Sequence, residues 1–184
     1  MLPFDTAAAL VSFGFVSSIT PGPNNLMLAS SGATFGLRRT LPHMLGVVIG
    51  FSILLLAVGF GLGAIFVTVP VLRTALKIAG AAYMLFLAWR MATAVHVDAG
   101  DDEEARPMTF LEAAAFQWVN PKGWVMALSS MAIFVRPDHA LADVPSVVAL
   151  FSMVNVPAVL VWASFGFALG SLLREPRWLR LFNI

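Results

Sequence analysis

Charged residues are spaced along the chain so that three long apolar stretches lie between them. No Asp, Glu, Lys or Arg occurs at positions 6–37, 40–72 or 144–173. Each stretch is longer than the roughly 20 residues with which an α-helix crosses a bilayer core. The pattern therefore predicts an all-α integral membrane protein of five or six transmembrane helices, built as one domain over residues 1–184.

The apolar runs and the polar or proline-containing positions between them predict the individual helices. The predicted spans are helix 1 at about 6–35, helix 2 at about 41–69, helix 3 at about 71–92, helix 4 at about 108–135 and helix 5 at about 145–173. A polar linker at 94–107 carries five acidic residues, Asp98, Asp101, Asp102, Glu103 and Glu104. A sixth helix is expected to be truncated or absent, because the chain stops at Ile184.

Composition supports the membrane prediction and removes several classes of function. Hydrophobic residues make up 59% of the chain and charged residues 11%, whereas a soluble domain has roughly 25% charged residues. A net charge of +1 without a basic stripe predicts no nucleic-acid partner. The chain has no cysteine, which excludes disulfides, iron–sulfur clusters and thiol catalysis.

The positive charges between the helices predict the orientation in the membrane. Seven lie on one side of the predicted bundle, namely Arg38, Arg39, Arg90, Arg106, Arg174, Arg177 and Arg180. Three lie on the other side, namely Arg73, Lys77 and Arg136. Because cytoplasmic loops carry the excess of Lys and Arg, the N-terminus is predicted to lie outside.

An internal repeat appears when the sequence is shifted by 100 residues. Positions 20–52 and 120–152 then share eight identities: Pro21/Pro121, Leu28/Leu128, Ser30/Ser130, Leu41/Leu141, Val47/Val147, Val48/Val148, Phe51/Phe151 and Ser52/Ser152. A unit of three helices crosses the membrane an odd number of times, so the second unit is inverted. The prediction is a 3+3 inverted repeat, with repeat 1 at about 6–92 and an incomplete repeat 2 at about 108–184. The alternative is shared hydrophobic bias.

Two proline-containing motifs are predicted to break helices 1 and 4. They read Thr20-Pro21-Gly22-Pro23-Asn24-Asn25 and Asn120-Pro121-Lys122-Gly123-Trp124. Proline cannot donate a backbone hydrogen bond, and unpaired backbone groups cost several kcal/mol each in hydrocarbon. Thr20 and Asn120 are predicted N-caps of new helices, whose free N–H groups and positive dipole ends suit a carboxylate. The alternative is a pair of packing kinks.

These motifs supply most of the candidate site residues. The candidates for substrate binding are Thr20, Pro21, Gly22, Pro23, Asn24, Asn25, Asn120, Pro121, Lys122 and Asn155. Lys122 is predicted near mid-depth, as a counter-charge for a carboxylate or as a partner for the carbonyls freed in helix 1; the alternative is an interfacial position. Asn155 is expected to add polar lining where Pro157 breaks helix 5.

Other residues carry weaker hypotheses. Glu112 is a candidate for proton coupling, since burial raises the pKa of a carboxyl group, with an interfacial position as the alternative. Small residues spaced four apart, Gly46 with Gly50 and Gly166 with Gly170, favour close helix packing. His43, His96 and His139 have no metal-ligand spacing, and no nucleotide-binding loop is present, so no metal or cofactor is predicted.

Several motifs together resemble the LysE-type superfamily of lysine, homoserine and threonine exporters. They are the 20–25 motif, Gly36-Leu37-Arg38-Arg39, Ala79-Gly80-Ala81-Ala82-Tyr83 and Asn120-Pro121-Lys122. Positions 28–31 and 36–38 look most like the branch that exports cysteine and O-acetylserine. The resemblance implies amino-acid efflux across the bacterial inner membrane, driven by the proton gradient, often by a homodimer. Family members usually continue into a further apolar helix.

The predicted function is therefore export of small amino acids by a secondary transporter that is not an enzyme. The helix starts and Lys122 would bind the substrate carboxylate, and the ammonium would bind to Asn24, Asn25, Asn120 and freed carbonyls, while the two repeats rock to alternate access. Two other classes stay open. One is a non-transporting scaffold or chaperone subunit. The other is a membrane-embedded enzyme with Glu112 and Lys122 as acid and base.

Overall fold

A computed structural model describes residues 2–69 and 106–174 without interruption, and between them the single helical positions 71, 74, 75, 78, 81, 82, 85 and 89. Regular structure in these residues is helical throughout, in agreement with the predicted all-α class. Most of predicted helix 3, the acidic linker up to position 105 and positions 175–184 lie outside the described residues. The predictions for these segments, Lys77 and the repeat counterpart of helix 3 included, remain predictions.

Helices in the two continuous ranges are numbered in chain order. They are α1 (Phe4–Ile19), α2 (Pro23–Ala57), α3 (Gly63–Thr68), α4 (Phe110–Phe116), α5 (Pro121–Phe134) and α6 (Ala140–Arg174). A π-helical segment, Val58–Leu62, joins α2 to α3, and a 3₁₀ turn, Pro137–His139, precedes α6. Two helical segments, Pro23–Leu62 and Pro137–Leu172, are long and apolar enough to cross a membrane.

The bounds of the observed helices differ from those of the predicted helices, because the chain is interrupted or bent at specific residues. The chain is non-helical between α1 and α2 and again between α4 and α5, at both predicted breaks. α2 also bends at Gly36, whose φ of 76° lies in the left-handed region that favours glycine. Predicted helix 1 is therefore α1 with α2 as far as Gly36, and predicted helix 2 begins after that bend.

Helix α6 corresponds to predicted helix 5, but its start and its continuity differ from the prediction. It begins at Ala140 rather than near 145, and it continues through Pro157 without a break. A proline removes one intrahelical hydrogen bond, and contacts with neighbouring helices allow a membrane helix to accommodate that loss. Asn155 therefore lies on a continuous helix.

Helix α2 is the centre of the fold, because α4 and α6 both pack along it. Glycines permit the close contacts, as the small-residue spacing predicted. At the glycines singled out in the sequence, the close approaches are Gly46 to Phe110, Gly50 to Ala114, Gly166 to Ala29 and Gly170 to Ala33. A Cβ atom at any of these glycines would overlap the backbone of the facing helix. The arrangement holds the two helix breaks at fixed positions against each other.

The core lies where α2 meets α6. The rings of Phe51 and Phe151 are 5.3 Å apart between centroids, and both side chains are buried. One residue further along each helix, the hydroxyl oxygens of Ser52 and Ser152 are 2.7 Å apart, within hydrogen-bond distance. This crossing forms one wall of the region described next, since Phe51 also lines the cavity there.

Candidate substrate-binding site

The first break begins at the C-terminus of α1, and here the N-cap prediction for Thr20 is wrong. Thr20 is the C-cap of α1, and its hydroxyl donates a hydrogen bond back to the carbonyl of Val16. α2 begins at Pro23, so Gly22 is its N-cap, in an extended conformation and without a side-chain cap. Two prolines in close succession move the helix start three residues beyond Thr20.

Side chains from α2, α6 and, as described below, α5 donate hydrogen bonds to the carbonyls at the end of α1. The amide nitrogen of Asn25 donates to the carbonyls of Ser18, at 2.8 Å, and Thr20, at 2.9 Å. The indole nitrogen of Trp162, on α6, donates to the carbonyl of Ile19 at 3.0 Å. The last three carbonyls before the break, those of Ser18, Ile19 and Thr20, are therefore satisfied by protein, as a helix break inside a membrane requires. Sequence reasoning did not identify Trp162, which lies in an ordinary apolar run.

Lys122 connects the two breaks. Its ammonium nitrogen, Nζ, lies 2.5 Å from the carbonyl oxygen of Thr20 and donates a hydrogen bond to it. Its aliphatic stem passes over Gly22, where a Cβ atom would lie 2.9 Å from Cδ of Lys122. The predicted role as partner of a freed carbonyl is therefore observed. Because an ammonium group has three donors, two remain for a ligand.

The second break is capped by its own residues. Asn120 is the N-cap of α5, as predicted, and its side-chain oxygen accepts from the backbone N–H of Lys122 at 3.1 Å. Pro121 occupies the first turn, where a missing N–H costs no helical hydrogen bond. The indole of Trp124 donates to the carbonyl of Trp118 at 2.9 Å.

A pair of side-chain amides joins the start of α2 to the end of α4. Asn24 donates to Gln117 at 2.8 Å, and Gln117 donates back to Asn24 at 3.2 Å. Gln117 also donates to the carbonyl of Ala113 at 2.9 Å and is fully buried. Sequence reasoning missed its side chain. An amide three residues before Asn120 in an apolar segment was the signal that could have found it.

These groups surround a small, partly open cavity. Its lining consists of Ser17, Ser18, Gly22, Asn24, Asn25, Val47, Phe51, Gln117, Asn120, Lys122, Gly123, Met126 and Asn155. Six of the predicted residues thus share one cavity, and Thr20 reaches the site through its carbonyl. Pro21, Pro23 and Pro121 shape the breaks without lining the cavity.

The cavity is positive and has unused hydrogen-bonding groups. Lys122 is the charged residue among its described lining, which contains no carboxylate. No acceptor in the described residues bonds the N–H groups of Asn24 and Asn25, as expected in a first helical turn. Asn155 makes no hydrogen bond there either, and the hydroxyl of Ser18 is buried without a partner. Such a site suits a small molecule with one carboxylate.

Glu112 does not line this cavity, and its exposed position agrees with the interfacial alternative rather than with the buried one. Its side chain is 43% exposed and forms a bidentate ion pair with Arg106, at 2.7 and 2.8 Å. It also completes a capping box with Thr109 at the start of α4. The hydrogen bonds with Glu112 raise the pKa of Arg106 above its usual range. These contacts give Glu112 a role in starting a helix and remove the reason for assigning it to proton coupling.

Within the described part of the chain, no group of three or more His, Cys, Asp or Glu residues could hold a metal ion. The fold and the site together define the class of this protein, which is an all-α membrane protein with a small positive cavity between two broken helices. In many secondary transporters, discontinuous helices of this kind form the substrate-binding site.

Comparison with known proteins identifies the family. The family model described as LysE type translocator matches residues 15–181. Cysteine/O-acetylserine efflux proteins of Escherichia coli (strain K12) and Shigella flexneri are each 31% identical over 172 residues, covering 91% of this chain and 86% of the relative. No solved structure matches the chain. The chain belongs to the LysE-type translocator family, and it is a transporter rather than an enzyme.

Proposed function

We propose that the protein exports small neutral amino acids from the cytoplasm, with the cysteine and O-acetylserine of its relatives as the first candidates. The observation that carries this proposal is the contact between the two breaks. Lys122, from the start of α5, lies against the Thr20 carbonyl at the end of α1, inside a cavity without a carboxylate. The positive charge favours a zwitterion or an anion and disfavours an amino acid with a cationic side chain.

The substrate carboxylate binds Lys122 and the N–H groups at the start of α2. Two donors of the ammonium are available, and the N–H groups of Asn24 and Asn25 point from a helix N-terminus. As Lys122 turns toward the carboxylate, its bond to the Thr20 carbonyl is released. That carbonyl and the side-chain oxygen of Asn25 then accept from the substrate ammonium. Binding thus exchanges one hydrogen bond between the breaks for several to the ligand.

The inverted repeat supplies the transport movement in this proposal. Contacts between residues 100 positions apart support it: Phe51 with Phe151 and Ser52 with Ser152. Residues related by a two-fold axis touch each other where the axis passes. The pairing of the helices also supports it, since α1 packs on α6 while α4, its counterpart in the proposed repeat, packs on α2. Rocking of one repeat against the other about this axis alternates access to the cavity.

Four further features of the proposal rest on the family resemblance and on the charge distribution. The protein is a multi-pass protein of the bacterial inner membrane, with its N-terminus outside. Export is coupled to the proton gradient. The working form is a homodimer with no nucleic-acid partner. Each repeat contributes three helices. Site labelling of the N-terminus in intact cells tests the orientation.

Transport by purified protein in liposomes tests the proposed site. Labelled cysteine, kept reduced, is loaded inside, and its exchange with external cysteine is followed for the wild type, Lys122→Met and Lys122→Gln. Met removes both the charge and the donor, whereas Gln keeps a donor for the Thr20 carbonyl and removes only the charge. Loss of exchange in both variants, with both proteins present in the membrane, is expected from a carboxylate counter-charge.

The Gln variant separates the two roles of Lys122. Exchange at the wild-type rate in Lys122→Gln would assign Lys122 to bridging the breaks alone and remove it from the substrate site. Labelled lysine is the matched control substrate, because its second ammonium group meets the charge of Lys122. Exchange of lysine as fast as cysteine would contradict the proposed preference for neutral substrates.

A further inference from the structure

A buried histidine and serine face each other across the bend of α2. His43 is 1% exposed and Ser31 is 7% exposed. Nδ1 of His43 lies 3.0 Å from the hydroxyl oxygen of Ser31, within hydrogen-bond distance. The other ring nitrogen, Nε2, is buried and has no partner among the described residues. A buried polar atom without a partner is costly, so its presence in a membrane helix calls for a functional reason.

The chemistry of the pair suits a group that gains and loses a proton. A neutral imidazole has one donor and one acceptor nitrogen, and the protonated ring has two donors. A serine hydroxyl donates to a bare Nδ1 and accepts from a protonated one, so Ser31 satisfies His43 in both states. In this scheme Nδ1 gains and loses the proton, while Nε2 is an N–H donor in both states and has no acceptor among the described residues.

Helix geometry places the pair beside the substrate cavity. Residues four apart lie on one face of a helix, and Val47, four residues after His43, lines the cavity. Asn24, which also lines the cavity, is seven residues before Ser31 and on the same face of α2. The pair therefore continues the polar lining away from the cavity toward the bend at Gly36.

The charged groups of the elements around α2 leave His43 as a separate site. The described ion pairs are Arg106–Glu112, before and on α4, and Arg136–Asp143, before and on α6, and His43 belongs to neither. The remaining charged residues whose side chains the structure describes are Asp5 on α1, Arg38 and Arg39 on α2, Lys122 on α5 and Asp138 in the 3₁₀ turn. None of them forms a hydrogen bond or an ion pair with His43, whose hydrogen-bond partner is Ser31.

We infer that His43 is the proton-binding site of the transport cycle, with Ser31 as the residue that positions it in both protonation states. The inference rests on the proposed function. A proton from the outside binds the ring when the cavity opens outward, and it leaves to cytoplasmic water when the cavity opens inward. No other bond is made or broken. Inward movement of the proton then drives amino-acid export.

Two transport modes in the same liposomes test the inference. Exchange of labelled for unlabelled cysteine requires no net proton movement, whereas accumulation driven by an imposed pH gradient does. His43→Asn keeps a hydrogen-bonding side chain opposite Ser31 and cannot titrate. We expect it to retain exchange and to lose gradient-driven accumulation, together with the proton flux that an enclosed pH dye reports. Ser31→Ala should keep coupling and shift its half-maximal pH toward acid.

The outcomes separate failure of the inference from failure of the proposed function. No exchange by the wild type would overturn the proposed function itself. Wild-type exchange with normal gradient-driven accumulation in His43→Asn would overturn only the role of His43, as would a wild type whose transport moves no protons. If His43→Asn does not insert, Ser31→Ala decides, because an unchanged pH dependence there also overturns the inference.

Discussion

The two helix breaks have similar sequences and are stabilised in different ways. At the first break, the carbonyls at the end of α1 bond to Asn25, from the first turn of α2, and to Lys122 and Trp162, from distant helices. Its N-cap, Gly22, contributes no side-chain bond. At the second break, Asn120 caps α5 directly, and Trp124 bonds the nearby carbonyl of Trp118. The first break therefore depends on tertiary contacts in addition to a neighbour in sequence, whereas the second is stabilised mainly by its neighbours in sequence.

This difference suggests a division of labour in binding. A locally capped helix start holds the ammonium group of Lys122 on a fixed base, as preorganised binding requires. The first break presents carbonyls whose present partners are side chains that a substrate can displace. The asymmetry also explains why the motif of the first break is the longer one, since two prolines free more acceptors than one. Four sets of substitutions test this comparison, in descending order of expected effect on stability.

Asn25→Ala should have the largest effect. It removes both bonds to the α1 carbonyls, and each buried acceptor left without a partner costs about 1–3 kcal/mol. Because Lys122 still reaches the Thr20 carbonyl, we expect a loss of about 3 kcal/mol in the free energy of unfolding. Unfolding in mixed detergent micelles, followed by circular dichroism, measures it.

Asn155→Ala is the matched control, because it is the same chemical change in the same cavity at a residue without a hydrogen bond. Its effect should stay within about 0.5 kcal/mol. Equal losses for the two variants would mean that the first break does not depend on the contacts of Asn25.

The amide pair between the breaks should couple them energetically. Asn24 and Gln117 exchange two hydrogen bonds, so their alanine variants are expected to be non-additive by about 1–2 kcal/mol in a double-mutant cycle. The same unfolding measurement on the wild type, both single variants and the double variant gives this value. A coupling energy near zero would show that each break is stable without the other.

The cap of the second break should contribute less than the contacts of the first. Asn120→Ala removes the bond from the N–H of Lys122, and loss of an N-cap costs about 1 kcal/mol. Asn120→Asp keeps a capping oxygen and should restore stability. Its carboxylate lies beside Lys122, so it should compete with the substrate and weaken cysteine exchange. Full exchange in Asn120→Asp would argue that Lys122 does not bind the carboxylate.

Local chemistry accounts for what the sequence predicted correctly. Apolar runs identify the membrane helices, prolines mark both breaks, and the preference of asparagine for helix starts identifies Asn120 as an N-cap. Spaced glycines also predict the close contacts of α2 with α4 and α6. Each of these features depends on residues within a few positions of each other, which is the range over which a sequence can be interpreted without coordinates.

The sequence is insufficient at positions where distant contacts or competing local signals determine the structure. Thr20 is a good N-cap by type, but the two prolines after it delay the helix start until Pro23. For Glu112 the sequence left a buried and an interfacial position open, and its contacts with Arg106 and Thr109 decide for the exposed one. The role of Trp162 requires knowing that α6 passes the end of α1, which no local pattern contains.

Substitutions at Gly22 and Gly123 are expected to have the smallest effect on stability, and they compare the two breaks directly because each glycine lies beside one of them. A Cβ at Gly22 would lie 2.9 Å from Cδ and 3.2 Å from Nζ of Lys122, whereas a Cβ at Gly123 has no neighbour nearer than 3.5 Å. Gly22 has extended backbone that alanine also adopts, and the lysine stem can move aside, so Gly22→Ala should change stability by no more than about 0.5 kcal/mol.

The same substitution should nevertheless move the ammonium group away from the Thr20 carbonyl and raise the KM for cysteine, while Gly123→Ala leaves it unchanged. Exchange kinetics over a range of cysteine concentrations distinguish the two variants. If both variants behave like the wild type, the position of Lys122 above the first break is not what the substrate recognises, and the second break must bind it through its own residues.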